Sequence, residues 1–324
     1  MDPFDASALP GLYVHIPFCL KKCGYCGFYS IIDRTMIPGF LVALRREATL
    51  RKGWASRFDT LYIGGGTPSV LQTDELERLI LDVRDAIAVT DDAEITVETN
   101  PADITPALMA SLRRAGVNRV SLGVQSMDDG MLAFLGRRHD RNRAVAAAAA
   151  VLNAGFDGVG LDLLYGIPGQ GLDGWRQTLQ EAIDLHPDHL SCYQLTIEEE
   201  TPLALRRRRG EIEMPGDALQ ADFFWFTSQF LEENGFVHYE VSNFAHPGRE
   251  SRHNRKYWIH APYLGLGPAA HSFSGRERRW NRRSVEAYLS DLEAGRDPVE
   301  ANETLDDDQL GLEALFLGLR TRRG

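Results

Sequence analysis

The chain has 324 residues, of which 44% are hydrophobic and 25% charged, the profile of an ordinary soluble protein with room for one large domain and a smaller one. Lysine and arginine number 35 against 46 aspartate and glutamate, and the formal charge of -11 argues against general nucleic-acid binding while leaving a local basic pocket open. No uncharged apolar run is long enough to span a bilayer, and Met1-Asp-Pro-Phe-Asp5 has neither the basic nor the apolar region of a signal peptide.

Six short β-like runs alternate with amphipathic helical stretches over residues 11–195: 12–16, 60–63, 94–98, 119–123, 158–164 and 189–195. Leu76, Leu79, Ile80, Val83 and Ile87 recur at helical spacing after Thr73. Thr105-Pro106 reads as an N-cap followed by proline at the first helical position, and Gly116 lies past the end. The alanine-rich stretch 142–153 predicts a helix closed by Gly155, and Leu172, Trp175, Leu179 and Ile183 mark another. Repeated βα units predict parallel strands with helices outside, and about six of them predict a partial (β/α)6-type barrel, short of the eight units of a closed one. From Thr201 the pattern changes. Residues 203–210, with the run Arg206 to Arg209, read as a loop or helix end. A helix from Asp217 carries Leu219, Phe223, Phe226 and Phe230 on one face and stops at Gly235. Shorter Gly/Pro-punctuated segments follow at 237–241, 252–259 and 263–274, and helices are expected at 285–293 and 306–319. The chain therefore divides at residue 200 into an α/β part, 1–200, and a smaller α+β domain, 201–324.

Three of the four cysteines fall in Cys19-Leu-Lys-Lys-Cys23-Gly-Tyr-Cys26, directly after an apolar strand. This spacing is too tight for the thiols to staple separate parts of a fold, and with Cys192 remote the pattern argues against a disulfide framework, which fits a reduced, cytoplasmic setting. A structural zinc site needs four ligands, and the fourth must come from Cys192 or a distant histidine. Three thiolates on one loop suit a [4Fe-4S] cluster, with Cys19, Cys23 and Cys26 on three irons and the fourth iron open to a small chelating molecule. Lys21 and Lys22 are expected to lower the pKa of exposed thiols beside them. Gly64-Gly65-Gly66-Thr67 follows a strand and lets the backbone approach a ligand, without the G-x-G-x-x-G spacing of a dinucleotide loop. Glu98, Gln125, Arg137 and Asp162 lie at or near strand ends. Asp162, inside an apolar strand, needs a partner.

Across these motifs the chain resembles the radical S-adenosylmethionine (radical SAM) superfamily, and within it the group of oxygen-independent coproporphyrinogen III oxidases and HemW haem chaperones. The resemblance rests on Tyr-Val-His-Ile-Pro-Phe-Cys (13–19), Tyr-Ile-Gly-Gly-Gly-Thr-Pro-Ser (62–69), Val-Glu-Thr-Asn-Pro (97–101), Ser-Leu-Gly-Val-Gln-Ser (121–126), Leu-Asp-Leu-Leu-Tyr-Gly-Ile-Pro-Gly-Gln (161–170) and His-Asn-Arg-Lys-Tyr-Trp (253–258). It implies a radical SAM partial barrel in which S-adenosylmethionine fills the open iron. By the same resemblance Gly65, Gly66 and Thr67 lie against its methionine end, Glu98, Gln125, Arg137 and Asp162 line its remainder, and Tyr13 and Tyr25 touch it beside the cluster.

The oxidase branch resembled here carries a further cysteine two residues after the third and a longer N-terminal arm. This chain has Cys26-Gly27-Phe28 and about a dozen residues before Tyr13, so the resemblance points to the HemW-like branch, whose members bind haem and deliver it to acceptor proteins. Haem or porphyrin, an acceptor protein and an electron donor are the partners implied, and coproporphyrinogen decarboxylation is the alternative. His253 is the expected haem ligand, with Tyr257 and Trp258 able to stack on a porphyrin face, although a histidine and two aromatics in a small core is the competing reading. His271 is a weaker candidate, Arg206 to Arg209 could pair with propionates or form a solvated charge run, and Cys192 reads as buried and inert. Relatives continue into further segments where this chain ends at Gly324, so the C-terminal domain is expected to be incomplete, by truncation or by nature.

Overall fold

The computed structural model describes residues 8–322. Six strands lie side by side in chain order and mutually parallel: β1 (Gly11–Ile16), β2 (Phe58–Gly65), β3 (Val89–Thr99), β4 (Arg119–Gln125), β5 (Gly158–Tyr165) and β6 (His189–Gln194). One face of this sheet carries Leu12, Val14, Leu61, Ile63, Ile95, Val97, Val120, Leu122, Leu161 and Leu163, all buried. Their alternation with polar residues is the period-2 signature of a strand. The helices α1 (Ile37–Leu50), α2 (Thr73–Ala86), α3 (Pro106–Arg114), α4 (Asp129–Leu135), α5 (Arg141–Leu152) and α6 (Leu172–Ile183) occupy the crossovers, and the apolar sides of α1, α2, α3, α5 and α6 share one core with the strands. As the periodicity predicts, α2 buries Leu76, Leu79, Ile80 and Val83. Thr105 accepts the Leu108 N–H at 3.1 Å to start α3, with Pro106 at the first helical position.

The sequence reading does not name α1 or α4. The start of α1 at Met36-Ile37-Pro38 has no side-chain cap to announce it, and α4 is only seven residues long.

Past residue 200 come α7 (Pro202–Arg208), α8 (Asp217–Glu233), β7 (Val237–Glu240), β8 (Asn243–Ala245), α9 (Arg252–Trp258), β9 (Tyr263–Leu266), β10 (His271–Phe273), β11 (Glu277–Asn281), α10 (Val285–Glu293), β12 (Val299–Thr304) and α11 (Asp307–Gly318). Residues expected as a loop or helix end after Thr201 are the helix α7, because Thr201 Oγ1 accepts the Ala204 N–H and Pro202 opens the turn. On α8 the inward row is Phe223, Thr227 and Leu231. Of the expected row, Phe223 is fully buried and Leu219, Phe226 and Phe230 pack half-buried against the same core, while the Trp175 indole N–H, fully buried on α6, donates to Thr227 at 2.7 Å. A fully buried donor needs that acceptor.

The later strands extend the same sheet on both flanks. β8 pairs antiparallel with β6 and carries β7, while β9 pairs parallel with β1 and carries β10, β11 and β12. The resulting twelve-stranded order, β12-β11-β10-β9-β1-β2-β3-β4-β5-β6-β8-β7, has no ladder between its two edges, so the sheet is open. Its base is closed by helices. α9 is fastened to the strand starts by the Glu94 carboxylate, which accepts the Arg252 and His253 N–H groups at 3.0 and 2.9 Å, and by Lys256 on Asp59 at 2.7 Å. α11 then ties one flank to the other. Glu313 pairs with Arg278 of β11 at 2.7 Å, and the chain after α11 meets the β7 side through Val241 N–H to Arg320 O at 2.9 Å.

Glu47 of α1 is completely buried and accepts from Gly267 N–H, Asn281 Nδ2 and Tyr288 OH at 2.8, 2.7 and 2.7 Å, with Arg51 at 3.8 Å. It therefore joins α1 to the segments around β9, β11 and α10. Replacing it by alanine strands these three donors, while Arg51 keeps its pair with Asp297 at 2.6 Å, and is expected to cost roughly 3–5 kcal/mol in urea-unfolding experiments. A loss below 1 kcal/mol would show that the tether is dispensable.

Candidate functional site

The inner face of the parallel strands is polar. Strand register sets Tyr62 beside Thr96, Glu98 beside Ser121, Gly123 beside Asp162 and Asp162 beside Ser191. A parallel sheet covered on both faces ordinarily reads as near-continuous apolar strands, so this departure marks an interior that holds something other than a packed core. The space it encloses is a cavity of about 600 Å³ lined by these residues together with Tyr25, Cys26, Gly65, Gly66, Thr67, Gln125 and Arg137.

The cysteine loop leaves the end of β1 and is clamped at its base. Cys19 N–H donates to Ile31 O at 2.9 Å and Ile31 N–H to Pro17 O at 2.8 Å, closing the bridge between Phe18 and Ile31. A second brace comes from His15, whose Nε2 lies 2.9 Å from the Tyr29 carbonyl and must donate there. Its Nδ1 then accepts from Tyr13 OH at 2.9 Å. Cys19 is buried with its sulfur 3.4 Å from Thr67 Oγ1, while Cys23 and Cys26 are half-buried and joined by a turn. Arg137 donates to Cys23 Sγ at 3.6 Å and to Gly123 O at 2.6 Å. Burial raises the Cys26 thiol, and the cation of Lys22 offsets this only in part. The expectation of exposed thiols activated by flanking lysines is thus corrected: Cys19 is buried, and for Cys26 desolvation prevails.

Glycine is required at two points beside this loop. Gly65 has φ +111°, a region closed to other residues without strain. At Gly66 a Cβ would lie 2.6 Å from the Phe18 carbonyl oxygen and 3.1 Å from Cys19 Sγ, so no side chain fits between this turn and the thiols.

Glu98 accepts from Tyr62 OH at 2.8 Å and Gly65 N–H at 3.0 Å. Burial first, then the charge of Asp162, raises its pKa to about 7, against the help of those two donors. Asp162 finds the partner its position demands in Ser121 Oγ, 3.0 Å from both carboxylate oxygens, and burial pushes its pKa up as well. Gln125 ends β4 at φ +72°, beside the irregular pairing with β5, a strained conformation that re-aims its side chain.

Eight of the ten expected cofactor contacts therefore line one cavity: Tyr25, Gly65, Gly66, Thr67, Glu98, Gln125, Arg137 and Asp162. Tyr13 and His253 do not. Tyr13 is turned to His15, and its ring lies 6.2 Å from Tyr62 and 6.5 Å from His253. His253 is 1% exposed, with Nδ1 2.8 Å from Thr60 Oγ1, Nε2 3.0 Å from Tyr257 OH and its ring stacked on Tyr62. Burial, reinforced by Lys256, lowers its pKa to about 3. Both nitrogens are taken, so in this arrangement His253 fastens α9 to β2 and lies outside the cavity. His271 lies on β10 with its ring over Trp280, and Arg206 packs on Phe134 and pairs with Glu211, so neither faces the cavity. Cys192 is buried in the outer core, as expected. Sequence reasoning missed Thr96, Arg119, Ser121, His189, Ser191, Tyr193 and Asn254, which also line the space. Apart from Asn254, the signal was present: polar residues at every second position of otherwise apolar strands.

Residues 13–182 match the radical SAM superfamily. The haem chaperone HemW of Mycobacterium tuberculosis is 40% identical over 320 residues, which are 97% of this chain and 82% of that protein. HemW of Synechocystis is 34% identical over 322 residues, covering 96% and 78%. The chain belongs to the HemW family of radical SAM proteins. The coproporphyrinogen III oxidase HemN from Escherichia coli matches the fold with a TM-score of 0.84 at 25% identity, over 98% of this chain and 77% of that one. Membership implies a [4Fe-4S] cluster and S-adenosylmethionine. The residues fit both: three thiols on one loop supply the cluster's donor set, Gly66 leaves room at the thiols, and the buried Nε of Arg137 has no hydrogen-bond partner from the protein.

Gly66→Ala is expected to reduce iron incorporation severely on anaerobic reconstitution, read as iron per chain and absorbance near the cluster band, while the far-ultraviolet dichroism stays native. Full iron loading would remove the close approach from the argument. Because the folded pKa of Glu98 lies above its unfolded value, the native state binds the extra proton between about pH 4.5 and 7. Its contribution is most favourable below that window and is lost as pH rises through about 7. In Glu98→Gln the fall in melting temperature from pH 5 to pH 8 should be smaller than in the wild type. Parallel curves would exclude a raised carboxyl here.

Proposed function

We propose that this protein is a cytoplasmic haem chaperone that carries a [4Fe-4S] cluster on Cys19, Cys23 and Cys26, binds S-adenosylmethionine in the adjoining cavity, and transfers haem to an acceptor protein. The observation that carries this reading is the 40% identity to the mycobacterial HemW over almost the whole chain. The local sequence supports it, since Phe28 stands where the oxidase branch has a further cysteine.

When bound, the cluster and S-adenosylmethionine together supply one-electron radical chemistry. What this chain contributes is placement and exclusion of water. Cys19, Cys23 and Cys26 hold the cluster, Thr67 and Arg137 donate toward two of the sulfurs, and such bonds to sulfur tune a cluster's potential. Gly65, Gly66 and Thr67 present backbone and hydroxyl to the amino-acid end of the cofactor. Glu98, with a pKa of about 7, accepts a hydrogen bond from a ligand hydroxyl or ammonium, and an ammonium beside it favours its ionised form. Asp162 and Gln125 offer further polar contacts along the cavity wall. The domain division at residue 200 is retained as a functional one, with residues 1–200 holding the cluster and cofactor and 201–324 closing the barrel base.

The likeness to HemN supports a second reading, oxidative decarboxylation of coproporphyrinogen III. One paired assay separates the two. Anaerobically reconstituted protein is titrated with haem and, in parallel, incubated with coproporphyrinogen III, S-adenosylmethionine and a reductant. Saturable haem binding near one per chain without formation of vinyl products is expected, and protoporphyrinogen IX production overturns the chaperone reading. Cys23→Ser should lose the paramagnetic signature of the reduced cluster; its retention would exclude Cys23 as a ligand.

A further inference from the structure

The cavity runs well beyond the residues assigned to the cofactor. Gln125, at the mouth, and Arg119, at the floor, are six residues apart on β4, or about 20 Å along the strand. Arg119 is 7% exposed and lines the cavity. Among the described residues it makes one hydrogen bond, from Nη1 to the Arg249 carbonyl at 3.0 Å, and no ion pair. Asp162 lies opposite Gly123, two inward positions further along the sheet, and its carboxylate is already held by Ser121. Two other buried groups on this floor are unpartnered: Thr96 Oγ1, on a residue 1% exposed, and His189 Nδ1, on a residue 2% exposed. Asn254, from the helix that plugs the base, lines the same space. A buried guanidinium without a carboxylate is costly, and buried hydroxyl and imidazole groups without partners add to that cost. Such costs persist where a ligand removes them.

We propose that the barrel floor is a second binding compartment, separate from the S-adenosylmethionine site, which takes a small carboxylate on Arg119. The guanidinium fork matches a carboxylate in a two-point contact, and Thr96, His189 and Asn254 satisfy the remaining lone pairs and the alkyl-side polar groups of the ligand. Phosphate is the poorer fit, because Arg119 is the one cation on this floor among the described lining residues, and the Asp162 carboxylate lines the same cavity. The inference rests on the proposed cofactor site only in placing S-adenosylmethionine at the mouth.

The test uses cluster-reconstituted protein and calorimetric titration with sodium propionate, and with propionamide as its neutral isostere. Wild type should bind propionate saturably and propionamide not at all, and Arg119→Gln should weaken propionate by about 10-fold or more. Arg119→Gln should melt no lower than wild type without ligand, since it removes an unpaired buried charge; an Arg119 with a purely structural role would make it melt lower. Asn254→Leu gives an independent variant, expected to weaken propionate as well, should Arg119→Gln fail to fold. Saturating S-adenosylmethionine, whose own binding is followed separately, distinguishes the two possible sources of the carboxylate. Unchanged propionate affinity supports a separate compartment, and displacement means that Arg119 holds the cofactor's own carboxylate and overturns the proposal. Absence of saturable propionate binding, or equal affinity in wild type and Arg119→Gln, overturns it too. S-adenosylmethionine binding that persists in either case leaves the proposed function standing.

Discussion

The two backbone hydrogen bonds between Pro17–Cys19 and Ile31 govern everything at the mouth of the cavity. They pinch the base of a loop that has no regular structure of its own, and three thiols take their positions from that pinch. Thr67 can reach Cys19, and Arg137 can reach Cys23, only because the loop returns to β1 at a fixed register. A cluster bound to a loosely tethered loop would present its open corner in many directions. This loop would hold it beside the inner side of the sheet, where Glu98 and Asp162 line the cavity. The raised pKa values of those carboxylates are the electrostatic counterpart of the same enclosure.

The parallel half of the fold was legible because its strands are apolar on one face and bounded by recognisable caps, and all six strands fall on the runs that periodicity picks out. The eight cavity residues were legible through motif resemblance, not through spacing alone. The surroundings of His253 were not legible for a physical reason: a sequence shows that a histidine sits near aromatics, but not that both its nitrogens are satisfied by Thr60 and Tyr257. Tyr13 shows the same limit, since nothing in β1 reveals that its hydroxyl turns to a histidine two residues along. The split at residue 200 follows a real change in pattern. The sequence could not reveal that β8 and β9 rejoin the first sheet at opposite edges, because pairing between segments distant in the chain leaves no local trace.

The later segments matter to the site through closure. α9 replaces what would be solvent at the starts of β2 and β3 with a helix pinned by Glu94 and Lys256, and it does so with the motif that resemblance would assign to haem. Within that motif the His253 ring spends its nitrogens on Thr60 and Tyr257. The floor they help to build is nevertheless unevenly satisfied, and the contrast between His253, fully partnered, and His189 and Arg119, which are not, separates packing from vacancy within a few ångströms of the same base.

An open sheet held together only at its foot has a mechanical character that a closed barrel lacks. The outermost staves, β12 and β7, share no ladder, and their separation is governed by the strap from Glu313 to Arg320. Widening the slot between them therefore breaks a handful of side-chain and terminal contacts and leaves every ladder of the twelve strands intact.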